Sequence, residues 1–145
     1  LLENSDEPHH QILSGKIFAQ KEEIKTTMDL FSIIKSTLKP RNIPDSEIKK
    51  SAQRCFQAFR ILVNDEFEVL EKFLTSLPQI LSKNGRVAIL SFHSGEDRRV
   101  KKSFLENYRN GIYSEIAKEF IRPSFEEQIR NPRSKSAKLR YAIKS

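Results

Sequence analysis

Tryptophan is absent from this 145-residue chain, and cysteine and methionine occur once each. A single cysteine, Cys55, excludes an internal disulfide framework and a CxxC zinc or redox site, and it fits a reducing cytoplasm. The four glycines stand at positions 15, 85, 95 and 111. No two of them reach the G-x-G spacing, so this sequence has neither a Rossmann-type cofactor loop nor a P-loop. Three histidines, His9, His10 and His93, give no metal cluster. There is no GxSxG elbow and no Cys–His pairing of a nucleophilic hydrolase. Long apolar runs are also missing. The longest, Ile61–Val63 and Val87–Leu90, are three and four residues, against the roughly 20 that a membrane helix needs. No basic-then-apolar signal sequence opens the chain. The first residue is Leu, which suggests a fragment whose beginning lies elsewhere.

What is present is charge, unevenly placed. Lys and Arg total 26 against 19 Asp and Glu, a net of +7. Residues 1–97 hold 13 basic and 14 acidic side chains, whereas residues 98–145 hold 13 and 5, a net of +8. The whole basic excess lies in the last third, where it would attract a polyanion such as RNA. A solvated surface kept for solubility is the competing reading. Hydrophobic residues make up 37%, enough for a modest core and too many for a disordered chain.

Apolar spacing organises the rest. Residues 1–7 read as a loop or helix end, and Pro8 to about Lys21 as a patchy helix interrupted by Gly15. Thr26 and Asp29 form a capping-box pattern ahead of an apolar helical face from Met28 to Leu38. Pro40 and Pro44 end that element. The strongest helical period runs from about Ser46 to Leu77 and predicts one long helix of about 45 Å. Arg86–Ser91 is short, β-rich and continuously apolar at its centre, which suits a strand buried in a parallel sheet. Ser94 and Asp97 then predict a second capping box, opening a helix to about Arg109. Ile112–Ile121 and Leu139–Ile143 read as two further strands, with a short helix capped by Ser124 between them. Three strands do not bury Val87–Leu90 on both faces and both edges, so the remaining sheet is expected from a missing N-terminal half or a partner chain.

Two segments concentrate chemistry. Ser91-Phe92-His93-Ser94-Gly95-Glu96-Asp97-Arg98 sits at the carboxyl end of a predicted strand, the edge at which open α/β sheets bind ligands. His93 could move a proton, and Glu96 or Asp97 could accept a hydrogen bond from an amine. The alternative is that Ser94 and Asp97 merely cap a helix while His93 packs. Asn131-Pro132-Arg133-Ser134-Lys135-Ser136-Ala137-Lys138-Leu139-Arg140 interleaves four cations with serines. That composition suits an RNA backbone, or equally an edge strand guarded against aggregation. Asn64-Asp65-Glu66 interrupts the long helix and is read as structural.

These segments resemble a known family. The first is similar to the SFHSLEDR signature, and the second to the NPRSRSAKLR signature, of the bacterial 16S rRNA (cytosine-N4) methyltransferases, the MraW (RsmH) family. Phe56 to Glu66 is similar to its FQALRIAVNDEL helix, and Ile24 to Leu30 to the start of a helix in its inserted domain. The departures are local. Gly95 replaces a Leu, which is expected to loosen the loop, and Lys135 replaces an Arg. Ser82 to Gly85 replaces a Pro-Gly-Gly turn.

The resemblance implies an α/β fold, the C-terminal part of a class I S-adenosylmethionine-dependent (Rossmann-like) sheet plus part of an inserted helical domain. Residues 1–52 would belong to the insert and 53–145 to the methyltransferase domain. It implies N4-methylation of a cytosine in 16S rRNA on the small ribosomal subunit, with S-adenosylmethionine as donor, in the cytoplasm. The donor's site lies in the family's first half, so no cofactor-binding residue and no metal ligand is assigned to this chain, which is expected to be inactive alone. His93 and Asp97 are the catalytic candidates. Ser94, Glu96, Arg98, Arg133, Lys135, Lys138 and Arg140 are the candidates for binding substrate RNA. A non-catalytic RNA-binding remnant or split subunit is the alternative.

Overall fold

The computed structural model describes residues 5–145; the first four residues of the expected N-terminal loop lie outside them. The chain divides into two compact units, residues 1–66 and 67–145. Among the described residues no helix is long and apolar enough to cross a membrane.

The first unit is helical: α1 (His10–Ala19), α2 (Thr27–Leu38) and α3 (Asp45–Val63). Helix α1 runs through Gly15 without interruption; the glycine faces open space. Helix α2 opens on the expected capping box. Thr26 Oγ1 accepts from the Asp29 amide at 3.2 Å, and Asp29 Oδ2 accepts from the Thr26 amide at 2.7 Å. The inward face of α3, Ile48, Ala52, Cys55 and Ala58, packs on Leu13, Leu30, Ile34 and Leu38. A buried carboxylate ties this core to the N-terminal segment. Glu7 accepts from the His9 amide at 2.9 Å and from Ser51 Oγ at 3.0 Å, with Arg54 Nη1 at 3.4 Å.

The single long helix expected over Ser46–Leu77 is two. Helix α3 ends at Val63, and α4 (Glu66–Ile80) begins after Asn64 and Asp65, where Asp65 adopts a left-handed φ of +49°. Asn and Asp tolerate that region better than other side chains because they bond locally. The Arg60 guanidinium grips Glu66 across the break at 2.7 and 3.1 Å. Pro78 lies inside α4, which continues past it to Ile80.

The second unit adds β1 (Arg86–Ser91), α5 (Ser94–Arg109), β2 (Tyr113–Ile116), α6 (Phe125–Arg130) and β3 (Lys138–Lys144). Its sheet has the order β1-β3-β2, with both pairings antiparallel. The expected parallel neighbours of β1 are therefore not among the described residues. Its one partner is antiparallel, with Val87 opposite Ala142 and Leu90 opposite Leu139. The expected strand at 112–121 is short, Tyr113–Ile116, followed by one bridge from Ile121 to Leu139. The side-chain alternation of strands sends Val87 and Ile89 to a core of Leu74, Leu77, Val100, Phe104, Tyr113 and Ala142. Leu90, on the opposite face, is 53% exposed. Strand β3 puts Lys138, Arg140, Ala142 and Lys144 on the inward face, an unusual choice that each cation offsets with a partner. Lys144 Nζ donates to the carbonyls of Pro78 and Leu81 at the end of α4, where the helix dipole favours a cation.

Candidate functional site

The chain leaves β1 at Ser91 and enters α5 through a capping box one residue earlier than expected. His93, not Ser94, is the N-cap, and Glu96, not Asp97, closes the box. His93 Nδ1 accepts from the Glu96 amide at 3.4 Å, while Glu96 Oε2 accepts from the amides of Phe92 at 2.9 Å and His93 at 3.4 Å. His93 Nε2 stands 3.2 Å from Glu96 Oε1, at ion-pair distance but not aligned for a hydrogen bond. The His93 ring, aided by the Phe92 amide and against burial, holds the Glu96 carboxyl down at about 2.

Gly95 does not loosen this turn. It is buried, and a Cβ there would stand 2.7 Å from Phe67 Cζ. Phe67 is the residue that follows the Asn-Asp-Glu triplet, where the family signature has Leu. The larger ring takes the room that a Leu at position 95 would fill. Arg99 stacks its guanidinium 3.5 Å from the Phe67 ring centre and donates to Glu71 at 2.8 Å.

Because Glu96 closes the cap, Asp97 is free for a different task. Its carboxylate, 6% exposed, meets Arg140 at 2.7 Å (Nε to Oδ1) and 3.3 Å (Nη2 to Oδ2), with Lys138 Nζ at 3.7 Å. Arg140 Nη1 donates to the carbonyls of Ala117 and Lys118 at 3.5 and 3.4 Å. Burial pushes the Asp97 carboxyl up, but the hydrogen bonds and charges of Arg140 and Lys138 outweigh it and hold the group below the usual carboxylate range. Two expectations change accordingly. Asp97 is not placed to accept from a substrate amine, and Arg140, 2% exposed, is not placed to meet an RNA phosphate. Each is committed to the other, joining α5 to β3. Ser91 Oγ, at the end of β1, donates to the Lys138 carbonyl at 3.3 Å and ties that strand to β3.

The two segments meet at a cleft of about 500 Å³ beside the carboxyl end of β1. The loop contributes Phe92, and the later segment contributes Asn131, Arg133 and Ser134. Leu90, Leu139 and Ile121 supply the apolar surface between them. His93, Ser94, Glu96 and Asp97 do not line it; they build the turn that presents Phe92. Arg98, Arg133 and Lys135 are exposed, and Lys138 is half-buried. Sequence reasoning missed Phe92 and Leu90 as lining residues. The alternation along β1 carries the signal: if Val87 and Ile89 face the core, Leu90 faces away from it.

Comparison with known proteins decides the kinship. The profile of the MraW methylase family matches residues 1–145. The chain belongs to the MraW methylase family. It is 58% identical over its whole length to "Ribosomal RNA small subunit methyltransferase H 2" of Alkaliphilus metalliredigens, of which it spans 43%. It is 54% identical to "Ribosomal RNA small subunit methyltransferase H 1" of Lachnoclostridium phytofermentans, spanning 41%, and 47% identical to the protein of that same name in Agathobacter rectalis, spanning 43%. The chain thus covers about two fifths of the length of these relatives. Its mixed architecture, helices followed by a three-stranded sheet, is that of the C-terminal part of a class I methyltransferase.

The donor that the MraW family implies, S-adenosylmethionine, carries a ribose diol and a charged amino-acid end. Such groups are held by a glycine-rich strand-to-helix turn and a free carboxylate. At the end of β1 the glycine is Gly95, closed by Phe67, and both neighbouring acids are engaged within the chain. The residues at the end of β1 do not fit that donor.

Proposed function

We propose that this chain is the RNA-facing part of an S-adenosylmethionine-dependent enzyme. The reaction methylates the exocyclic N4 of a cytosine in 16S rRNA, on the small ribosomal subunit, in the cytoplasm. The carrying observation is the meeting of loop 91–98 and segment 131–140 on one cleft at the carboxyl end of β1. The relatives' names, which specify small-subunit ribosomal RNA, support the substrate class. The donor is held by residues outside these 145, so the chain alone does not bind it.

The chemistry sets what these residues must do. The cytosine amine is a weak nucleophile because its lone pair is delocalised into the ring. The base has to leave its stack to be reached, and it has to be held in line with the methyl group. In this reading His93, Ser94 and Glu96 fix the turn that presents Phe92, and Asp97 fixes α5 against β3. Arg98, Arg133 and Lys135 hold the RNA backbone, as point charges on phosphates do.

The test is methyl transfer by the intact protein from methyl-labelled S-adenosylmethionine to small ribosomal subunits, followed by nucleoside analysis of the rRNA. Label in N4-methylcytidine is expected, and its absence refutes the reading. Calorimetry of the 145-residue chain with S-adenosylmethionine is expected to show no binding. Stoichiometric binding would refute the division of labour between this chain and the rest.

A further inference from the structure

We infer that the cleft beside the end of β1 is a nucleotide site, taking one base of the substrate RNA on its apolar surface and the adjoining phosphate on its arginines. The inference rests on the RNA-modifying reading above and adds where the chain seats a base. The apolar surface is continuous across the sheet: Leu90 and Leu139 are register partners, and Ile121 bridges to Leu139. Phe92, 51% exposed, adds an aromatic ring in the same wall. An aliphatic floor beside an exposed ring is the kind of surface on which a base stacks. The volume, about 500 Å³, lies in the range of small-ligand sites.

Charge selects the occupant. The cleft is lined by Arg122 and Arg133 against one acid, Glu127. Lys138 and Arg140 lie on the other, helix-facing side of β3, paired with Asp97, and do not belong to the cleft. Of the five cations from 130 to 140, Arg133 lines the cleft. Ser134, 4% exposed in the wall of the cleft, has an Oγ without a hydrogen-bond partner among the described residues. An apolar peptide laid on the same floor would leave Arg122 and Arg133 with only Glu127 of the lining to match them. A nucleotide brings a flat apolar face, polar edges and a phosphate in one unit.

The probe is cytidine 5′-monophosphate, titrated calorimetrically into the intact protein, with cytidine and inorganic phosphate as separate arms. The monophosphate is expected to bind more tightly than either part. Phe92→Ala should weaken cytidine and its monophosphate about tenfold, the loss of one base–aromatic stack, and leave phosphate unchanged. Arg122→Ala/Arg133→Ala should reduce the monophosphate to the affinity of cytidine. Arg109→Ala, on the exposed end of α5, should change nothing. No binding by wild type, as when another protein segment covers Phe92, overturns the inference. So does binding that neither the Phe92 variant nor the arginine variant alters. Methylation of small subunits separates this failure from that of the parent reading. Phe92→Ala with unchanged KM for the subunit sinks the cleft alone, whereas wild type that binds the monophosphate but transfers no methyl group sinks only the reaction.

Discussion

Replacing Asp97 by Ala tests the division between structural and RNA-facing charge most directly. The substitution leaves the Arg140 guanidinium buried and Lys138 without its carboxylate, and removing one partner of a buried pair costs about 3–5 kcal/mol. Residues 67–145 form the compact unit that contains the pair. At about 0.05–0.15 kcal/mol per residue, such a unit holds roughly 4–12 kcal/mol in all, so the loss removes about a quarter of its stability or more. The assay is built into the sequence. There is no tryptophan, and the three tyrosines, Tyr108, Tyr113 and Tyr141, all lie in this unit. Tyrosine fluorescence during urea unfolding therefore reports this unit, with the midpoint falling and the slope unchanged.

Asp97→Leu/Arg140→Met removes both charges and keeps the volume, and it should recover to within about 1 kcal/mol of the native protein. A single variant within about 0.5 kcal/mol of native, in the range of ordinary surface changes, would refute the pairing. So would a double variant as unstable as the two single losses added. The pH dependence has a fixed sign. The folded carboxyl is held below its unfolded value, so its contribution is complete above pH 4 or so and fades as pH falls through the lower folded value. The penalty of Asp97→Ala should shrink in acid.

Further expectations concern the turn, the core and the basic segment. Glu96→Gln should destabilise the second unit at neutral pH by about 1 kcal/mol, the worth of a capping contact; with the folded carboxyl near 2 against an ordinary 4.5, urea midpoints of variant and native should converge between those values as pH falls. Gly95→Leu should cost about 1–3 kcal/mol through overpacking against Phe67, and Phe67→Leu in the same chain should restore most of it; an equal midpoint for Gly95→Leu alone would show that the ring does not fill that space. Cys55 is fully buried, and burial, with the Glu7 charge beside it, pushes its thiol up to about 12. It should resist thiol reagents at pH 8 until the first unit unfolds, and fast stoichiometric labelling of the native protein would contradict that packing. Arg133→Ala/Lys135→Ala should lower the log–log salt slope of single-stranded RNA binding by about 1.4, with an unchanged slope removing both from the backbone contacts.

Local signals in the sequence were reliable where one reading of them was possible. Thr26 with Asp29 and Ser124 at α6 both cap as their spacing predicts. The same rule misplaced the start of α5 because two overlapping patterns compete. His93 with Glu96 and Ser94 with Asp97 differ by one residue, and a histidine ring can accept an amide as a hydroxyl does. The winner is set by Arg140, 43 positions away, which draws Asp97 out of the cap. The break at Asn64-Asp65 was visible as a polar interruption, but apolar spacing continues on both sides and periodicity alone joins them. In β3 the sequence offers two alternating sets. Leu139, Tyr141 and Ile143 look like the inward one, yet Lys138, Arg140, Ala142 and Lys144 point to the helices. That choice needs Asp97 and the carbonyl end of α4 as partners, and no window of local sequence contains them.

The basic excess of the last third is accordingly two populations with different physics. Arg140, Lys144 and in part Lys138 lie under the sheet and spend their charge on Asp97 and on carbonyl oxygens, so they act through geometry and are little affected by salt. Arg133 and Lys135 are exposed, with no acid from 130 to 140 to neutralise them, so they act through a long-range field that salt screens. Net charge, +8 over residues 98–145, cannot separate the two. Burial beside a carboxylate can, and it reassigns Asp97 and Arg140 to the framework while leaving Arg133 at the cleft and Lys135 exposed. Removing an inner cation should therefore unfold the unit before it changes RNA affinity, and removing an outer one should do the reverse.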